Sequence, residues 1–446
     1  MTLRSHGTRL AVALALLATL GGCGIFRHHT DRGPKTAVIG NRVSVLNTGS
    51  DSVADPSLAD VPVVVPEAAA NNSWTQPGGN ATKSMGNLAL PLALHPGWSA
   101  RVPGGDIRQR LGATPAIADG KLFIVDADAV VHAFNATTGA RLWQTALDTQ
   151  KRDKIVLFGG GASVDSGKVY ATTGRGDAAA LDAATGKLLW KVRPGGPLRG
   201  APAIGAGNVY VLTQDNQIFA LKPETGETLW TVSATLQTSG LFGVAAPAIA
   251  QGTVVAGFSS GELSALRYEN GRIVWQDQLS RTSISTSVSV ISDIDASPVV
   301  DQGKVYAIGK GGRMVAMDLV TGQRLWELTI GGINTPWLAG EWLFVLTDEA
   351  KLICVARTTG KIRWISQLPR YRDPKSKNKP ISWYGPVLAG GRLLVVSDNG
   401  RLVNVAVADG AVGTQVKAGK SFYLPPVVAN NTLYLVDDKG RISTWR

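Results

Sequence analysis

The sequence predicts an all-β protein, an eight-bladed β-propeller whose four-stranded antiparallel blades close into a ring. Three observations lead to this prediction. The composition is rich in glycine, with 52 Gly among 446 residues, and only 17% of the residues are charged. Such a composition favours many short strands and tight turns over long helices. One motif also recurs along the chain, and a block of three short alternating runs precedes each copy of it.

The recurring motif contains a glycine, usually after Thr, and a Trp four residues later. Six copies keep this spacing, and they end at Trp143, Trp190, Trp230, Trp275, Trp326 and Trp364. A seventh, degenerate copy has Asp409-Gly410 and then Thr414 at the Trp position. Because Trp buries a large area, we predict that the repeat Trp residues pack between blades and are structural.

The runs upstream of each motif predict the remaining strands of each blade. In one block, residues 201–204, 208–212 and 217–221 alternate between apolar and other side chains and are separated by turn residues, which indicates three strands. The Thr-Gly turn then leads into a fourth strand, which carries the Trp. Eight such blocks begin near Thr114, Ala162, Ala201, Ala246, Ser297, Thr335, Gly385 and Pro425. The last block lacks a fourth strand, so we expect residues 98–102 to complete it and to close the ring; seven blades is the main alternative.

The N-terminus predicts export and lipidation. Arg4 and Arg9 precede an apolar run at residues 10–20, which is typical of a secretory signal, here residues 1–22. The run is too short for a permanent membrane-spanning helix. Leu20-Gly21-Gly22-Cys23 resembles a bacterial lipobox, which implies acylation of Cys23, and Gly24 after it implies anchoring on the periplasmic face of the outer membrane. We therefore expect residues 23–73 to form the lipidated cysteine with a flexible tether and residues 74–446 to form the propeller.

Several chemistries have little support in this sequence. Two Cys exclude a disulfide scaffold and a multi-cysteine metal centre, and five scattered His leave little material for a His site, so we predict no metal and no cofactor. A basic stretch, residues 361–380, predicts a solvated loop, with contact to anionic lipid head-groups or an acidic partner as the alternative. Nucleic acid is not an expected partner, because no base-stacking module is recognisable.

The pattern Ala-x-Asp-x-x-Thr-Gly-x-x-x-Trp resembles the repeat of the pyrroloquinoline-quinone dehydrogenases. In that family, adjacent cysteines cover the quinone, and a catalytic Asp and calcium ligands accompany them. Cys23 and Cys354 are far apart here, so the resemblance extends to the repeat and not to the quinone chemistry. We predict that the chain is not an enzyme; a quinone-dependent, dehydrogenase-like propeller and a glycan-binding periplasmic propeller are the alternatives.

The lipobox together with eight such blades resembles the BamB family, lipoproteins of the outer-membrane β-barrel assembly machine. This resemblance implies a non-catalytic scaffold that binds a POTRA domain of BamA and aids the delivery and insertion of β-barrel outer-membrane proteins; it leaves open whether the unfolded proteins bind directly. Residues 292–300 are similar to a family segment whose two acids contact BamA, which assigns that role to Asp293 and Asp295. The family also uses a Leu-Arg-Gly-like loop, which corresponds to Gly240-Leu241-Phe242-Gly243. Leu241 matches, whereas Phe242 stands at the Arg position.

The lengths of the blade connectors indicate the same surface independently. Connections from the outer strand of one blade to the inner strand of the next lie on one side of a propeller, and three of them are long, at residues 231–246, 276–297 and 365–385. Insertions on one face commonly mark a binding face. The alternative is that Asp293 and Asp295 only cap turns. We expect charge reversal of both to weaken BamA co-purification and to leave thermal stability nearly unchanged.

Overall fold

The computed structural model describes residues 52–105, 110–147, 159–236, 245–279 and 293–446. Across these residues, the strands form eight four-stranded antiparallel sheets and one two-stranded hairpin, with a 3₁₀ turn at Pro56–Leu58. The predicted eight-bladed propeller is confirmed, and the seven-bladed alternative is wrong. None of the helices in the described ranges is long and apolar enough to cross a membrane.

One strand precedes the first blade in sequence, namely β1 (Pro96–Arg101). Blades 1 to 4 follow, each running from an inner to an outer strand: β2 (Ala116–Ala118), β3 (Lys121–Val125), β4 (Val130–Asn135) and β5 (Arg141–Ala146); β6 (Gly160–Asp165), β7 (Lys168–Thr173), β8 (Ala178–Asp182) and β9 (Leu188–Val192); β10 (Ala203–Gly205), β11 (Asn208–Leu212), β12 (Gln217–Leu221) and β13 (Thr228–Ser233); β14 (Ala248–Ala250), β15 (Thr253–Gly257), β16 (Glu262–Arg267) and β17 (Ile273–Gln278).

Blades 5 to 7, the hairpin before blade 7, and blade 8 complete the chain: β18 (Val299–Asp301), β19 (Lys304–Gly309), β20 (Arg313–Asp318) and β21 (Arg324–Leu328); β22 (Trp337–Ala339), β23 (Trp342–Leu346), β24 (Lys351–Ala356) and β25 (Ile362–Gln367); the hairpin β26 (Tyr371–Asp373) and β27 (Asn378–Pro380); β28 (Trp383–Ala389), β29 (Arg392–Ser397), β30 (Arg401–Ala406) and β31 (Val412–Lys417); and β32 (Val427–Ala429), β33 (Thr432–Val436) and β34 (Arg441–Trp445).

The ring closes as the sequence predicts. Strand β1 pairs with β34, with Ser99 opposite Ser443 and Arg101 opposite Arg441. The sheet order β1-β34-β33-β32 makes β1 the outer strand of blade 8. The chain therefore joins its first and last blades through main-chain hydrogen bonds.

The repeat Trp residues are structural, as predicted, because each one lies over the motif glycine of the next blade. Trp190 donates from Nε1 to the carbonyl of Pro223 at 2.9 Å. Gly226 has a φ of +76°, and a Cβ there would lie 2.6 Å from the Trp190 ring. The turn therefore needs glycine both for its backbone conformation and for the ring that covers it. The same pairing recurs as Trp98–Gly139, Trp143–Gly186, Trp230–Gly271, Trp275–Gly322, Trp326–Gly360 and Trp364–Gly410.

The hydrophobic core lies between neighbouring sheets. The second strand of each blade and the third strand of blades 1 to 6 are mostly buried, and first strands of neighbouring blades lie side by side. Cys354 on β24 is fully buried, and burial raises the pKa of its thiol, so it is a core thiol as expected. Strand β31 differs, because it carries Thr414 at the Trp position and all of its residues are exposed.

A segment before β1, residues 71–88, lies across the central channel; we call it the channel segment. It forms hydrogen bonds with the inner strand of every blade, or with the turn just after that strand. The pairs, in order of blades 1 to 8, are Trp74–Ile117, Thr75–Val164, Gln76–Ile204, Ala81–Ile249, Thr82–Val300, Gly86–Trp337, Leu88–Leu388 and Asn71–Asn430.

The structure differs from the expected tether in residues 52–73. The Asp55 amide donates to the Ile362 carbonyl at 2.8 Å, and Arg363 Nε donates to the Val61 carbonyl at 2.7 Å. These residues therefore follow the outer strand of blade 6 before the chain turns into the channel. The contacts were not predictable from composition, because their partners are about 300 residues away in sequence.

Candidate functional site

The candidate partner-binding face is the side of the propeller that carries the connectors between blades. Leu241 and Phe242, predicted to contact a partner there, lie outside the described residues, and so does Cys23. Asp293 and Asp295 are described, and they lie at the end of the connector between blades 4 and 5.

Both acids are buried within the chain. Their exposed fractions are 0% for Asp293 and 8% for Asp295. Asp295 Oδ1 accepts a hydrogen bond from Nη2 of Arg199 at 3.0 Å, and Arg199, from the connector before blade 3, is itself 0% exposed. The charge of Asp293 also acts on Arg199. We call Arg199, Asp293 and Asp295 the Arg199 cluster.

Burial and charge oppose each other in the Arg199 cluster. Burial raises the pKa of Asp295, and the Arg199 guanidinium and Lys310 lower it. Burial lowers the pKa of Arg199, and the two carboxylates raise it. Breaking a buried ion pair by removing one partner costs about 3–5 kcal/mol, since the other charge stays buried. The burial of these acids therefore changes the expectation: charge reversal at Asp293 and Asp295 should lower the stability of the chain rather than leave it nearly unchanged.

The segment that carries the two acids connects several blades. Ile294, between them, is fully buried, and its amide donates to the Phe258 carbonyl in blade 4 at 3.1 Å. The Ser297 hydroxyl accepts from the Ala246 amide, and the Ser297 amide donates to the Thr335 hydroxyl, both at 3.1 Å. The segment therefore fixes the relative positions of the connectors before blades 3 to 6.

Arg199 was missed in the sequence analysis, although a signal for it exists. It stands in Leu198-Arg199-Gly200, a literal Leu-Arg-Gly sequence at the start of blade 3. The family resemblance directed attention to residues 240–243, one blade later. Pairing of Arg199 with Asp295 required the fold, because 96 residues separate them in sequence.

A cavity of about 360 Å³ lies in the channel beside the Arg199 cluster. The channel segment lines one end of it with Trp74, Pro77, Gly78 and Lys83. Residues that precede inner strands or lie at their starts line the rest, among them Arg110, Asp295, Trp337, Tyr384 and Tyr423. Trp74 and Lys83 are buried, whereas Arg110 is exposed, so the mouth of the cavity is at the connector end.

The basic stretch at residues 361–380 divides into two parts. Lys361 pairs with Asp55 at 3.1 Å, and Arg363 binds the Val61 carbonyl, so the first part holds the N-terminal segment. The second part is the β26–β27 hairpin, whose strands are mostly exposed. Among the residues that can be described, no group of three or more His, Cys, Asp or Glu side chains is arranged to hold a metal ion.

Comparisons with known proteins agree with this architecture. The family model for outer membrane protein assembly factor BamB matches residues 96–156, 127–366 and 373–445. The chain is 33% identical over 349 residues to outer membrane protein assembly factor BamB of Escherichia coli (strain K12), which covers 77% of this chain and 87% of that protein. The protein of the same name from Xanthomonas campestris pv. campestris is 31% identical over 357 residues, 78% of this chain and 85% of the relative.

Solved structures share the fold at lower identity. BamB from Moraxella catarrhalis superimposes with a TM-score of 0.68 at 21% identity, over 79% of this chain and 100% of that chain. A europium-containing methanol dehydrogenase gives a TM-score of 0.66 at 15% identity, over 82% of this chain and 90% of that chain. At these identities the two likenesses concern the fold alone. The family model and the sequence relatives decide the family, and the chain belongs to the BamB family of outer membrane protein assembly factors.

Proposed function

We propose that this chain is a non-catalytic outer-membrane protein assembly factor that acts as a scaffold for β-barrel assembly. The supporting observation is family membership across the propeller, since relatives named as assembly factors match 77% of the chain. In this proposal, acylated Cys23 anchors the chain to the periplasmic face of the outer membrane. The connector face binds a POTRA domain of BamA and aids the insertion of β-barrel proteins.

The geometry supports the connector face as the binding surface. On this face, the segment from Asp293 to Ser297 links the described ends of several connectors. A surface whose backbone is held in position loses less conformational freedom on binding than free loops would. In the proposal, Leu241 and Phe242 contact the partner, and Asp293 and Asp295 contribute mainly by holding the connectors in place.

The test is affinity capture of the full-length protein from detergent-solubilised envelopes, followed by mass spectrometry. Wild type is compared with Leu241→Asp and with the control Leu189→Asp, which adds the same charge at an exposed position on outer strand β9. We expect wild type and the control to recover BamA and the Leu241 variant to lose it.

Two results would contradict the proposal. If wild type recovers no barrel-assembly component, the scaffold function is wrong. If Leu241→Asp recovers BamA as well as the control does, the connector face between blades 3 and 4 is not the contact. Thermal unfolding of both variants, measured in parallel, separates lost binding from lost folding.

A further inference from the structure

Lys83 is a buried cation at the closed end of the channel cavity. Its exposed fraction is 1%, and it adopts a φ of +64°, a left-handed conformation that is uncommon for a residue with a side chain. Its amino group donates to Oε1 of Gln76 at 3.4 Å, a long hydrogen bond to a neutral group. It forms no ion pair with the residues that the structure describes. Burial lowers the pKa of Lys83 to about 7.

The cavity that Lys83 lines is chiefly aromatic and apolar. Trp74 and Trp337 stack with ring centroids 6.2 Å apart, and Tyr384 and Tyr423 line the same cavity. Apolar cavities with a few convergent polar groups are typical of small-molecule sites. Strained backbone positions also cluster at ligand sites, where the surrounding structure maintains them.

The charges around the cavity favour an anion. Lys83 lies at the closed end, and Arg110 lies at the mouth, 5.1 Å from the centre of the Tyr423 ring. Among the described lining residues there is one carboxylate, that of Asp295, and Arg199 pairs with it at 3.0 Å. The attraction of Lys83 and Arg110 for an anionic ligand therefore exceeds the repulsion from Asp295.

We propose that this cavity binds a small aromatic organic anion, with its acidic group at Lys83 and its ring against Trp337 and the two tyrosines. A charge-assisted hydrogen bond would replace the long contact between Lys83 and Gln76. The aromatic body would cover apolar surface that now lines the cavity. The proposal does not depend on the proposed contacts of Leu241 and Phe242, so its failure leaves the assembly function untouched.

The test is calorimetric titration of the purified full chain with naphthalene sulfonate and with its neutral analogue naphthalene methanol, each corrected by titration into detergent alone. We expect one-to-one binding of the sulfonate and weaker binding of the alcohol. Lys83→Met should reduce sulfonate affinity about tenfold or more, the equivalent of one lost charge-assisted contact. Lys375→Met, which removes an exposed lysine of the β26–β27 hairpin, should leave that affinity unchanged.

A second measurement needs no variant. A bound anion stabilises protonated Lys83, so sulfonate affinity should fall as the pH rises above about 7 and be constant below it. The charged and titratable groups that line the cavity with Lys83, among the described residues, are Asp295, Arg110, Tyr384 and Tyr423. Burial raises the pKa of both tyrosines. Affinity that is independent of pH between 6 and about 9, equal binding of the alcohol, or full affinity in Lys83→Met would each overturn the proposal.

Discussion

Two buried cations, Arg199 and Lys83, have opposite surroundings. Both are essentially unexposed, at 0% and 1%. Arg199 has two carboxylates of its own chain close to it, whereas Lys83 has the amide oxygen of Gln76 and an apolar cavity. Within the described part of the chain, one charge is thus compensated by carboxylates, whereas the other has no anion paired with it. A compensated charge maintains the structure, and an uncompensated one provides a place for a ligand.

The largest expected effect is at the compensated cation. Arg199→Met leaves Asp293 and Asp295 buried without their guanidinium, and the free energy of unfolding should fall by about 3–5 kcal/mol. Chemical denaturation of the purified variant measures this change. The matched control is Arg372→Met. Nη2 of Arg372 lies 3.4 Å from Oδ1 of Asp398, and the two side chains are 46% and 26% exposed. Loss of this partly exposed pair should cost about 1 kcal/mol or less. Equal losses in the two variants would mean that the Arg199 cluster is not a distinct structural site.

The second effect concerns Lys83, whose removal should raise the free energy of unfolding by an amount that depends on pH. Burial lowers the pKa of Lys83 from 10.5 to about 7. Below pH 7 both the folded and the unfolded chain hold this proton, so the folded state bears the whole cost of the buried charge. Between pH 7 and 10.5 only the unfolded chain keeps the proton, and the cost is relieved as the pH rises.

Lys83→Met removes that cost, so it should stabilise the chain by about 2–4 kcal/mol below pH 7, with the gain shrinking as the pH approaches 10. Denaturant unfolding of wild type and variant at a series of pH values measures the difference. A variant that is less stable than wild type at pH 6, or a difference that does not change with pH, would show that Lys83 is compensated after all.

The smallest change in stability is expected for a substitution that gives Lys83 a carboxylate partner, as Arg199 has in its cluster. Gln76→Glu supplies Lys83 with a carboxylate, which raises its pKa, but the change also removes the hydrogen bond from Gln76 Nε2 to the Ile204 carbonyl at 3.1 Å. The two effects oppose each other, so unfolding should change by only about 1–2 kcal/mol. Sulfonate affinity should fall about tenfold, because the internal carboxylate competes with the ligand.

The control for this variant is Gln76→Met, which also loses the Nε2 hydrogen bond, loses in addition those that Oε1 accepts from the Ile204 amide and from Lys83, and adds no charge. It should keep its affinity for the sulfonate. If the Met and Glu variants lose affinity equally, the geometry of the channel segment matters more than the charge of Lys83.

The blades were predictable from sequence because their signals are local. A glycine with positive φ and a Trp four residues later specify one turn and the strand after it, and the copy in the next blade completes the contact, as Trp190 does over Gly226. The strand that closes the ring was predictable by counting, since blade 8 has only three strands of its own near the C-terminus.

The candidate site was only partly predictable. Residues 293–300 were recognised as important, but their burial was not foreseen, because Asp and Ser in a connector look like exposed turn residues. Lys83 and Arg199 were overlooked for a related reason. A single Lys or Arg in a polar stretch is normally exposed, and only an enclosing structure removes it from water.

The repeat period and the strand content of the blades follow from residues within about 50 positions of one another, so the amino-acid pattern suffices to specify them. The Arg199 cluster and the cavity with Lys83 at its closed end depend on contacts over far longer separations, such as the 96 residues between Arg199 and Asp295. Burial is a property of the assembled ring, and each blade alone would leave these charges in water. The local sequence pattern therefore specifies the blades, whereas closure of the ring decides which charged side chains are buried and what surrounds them.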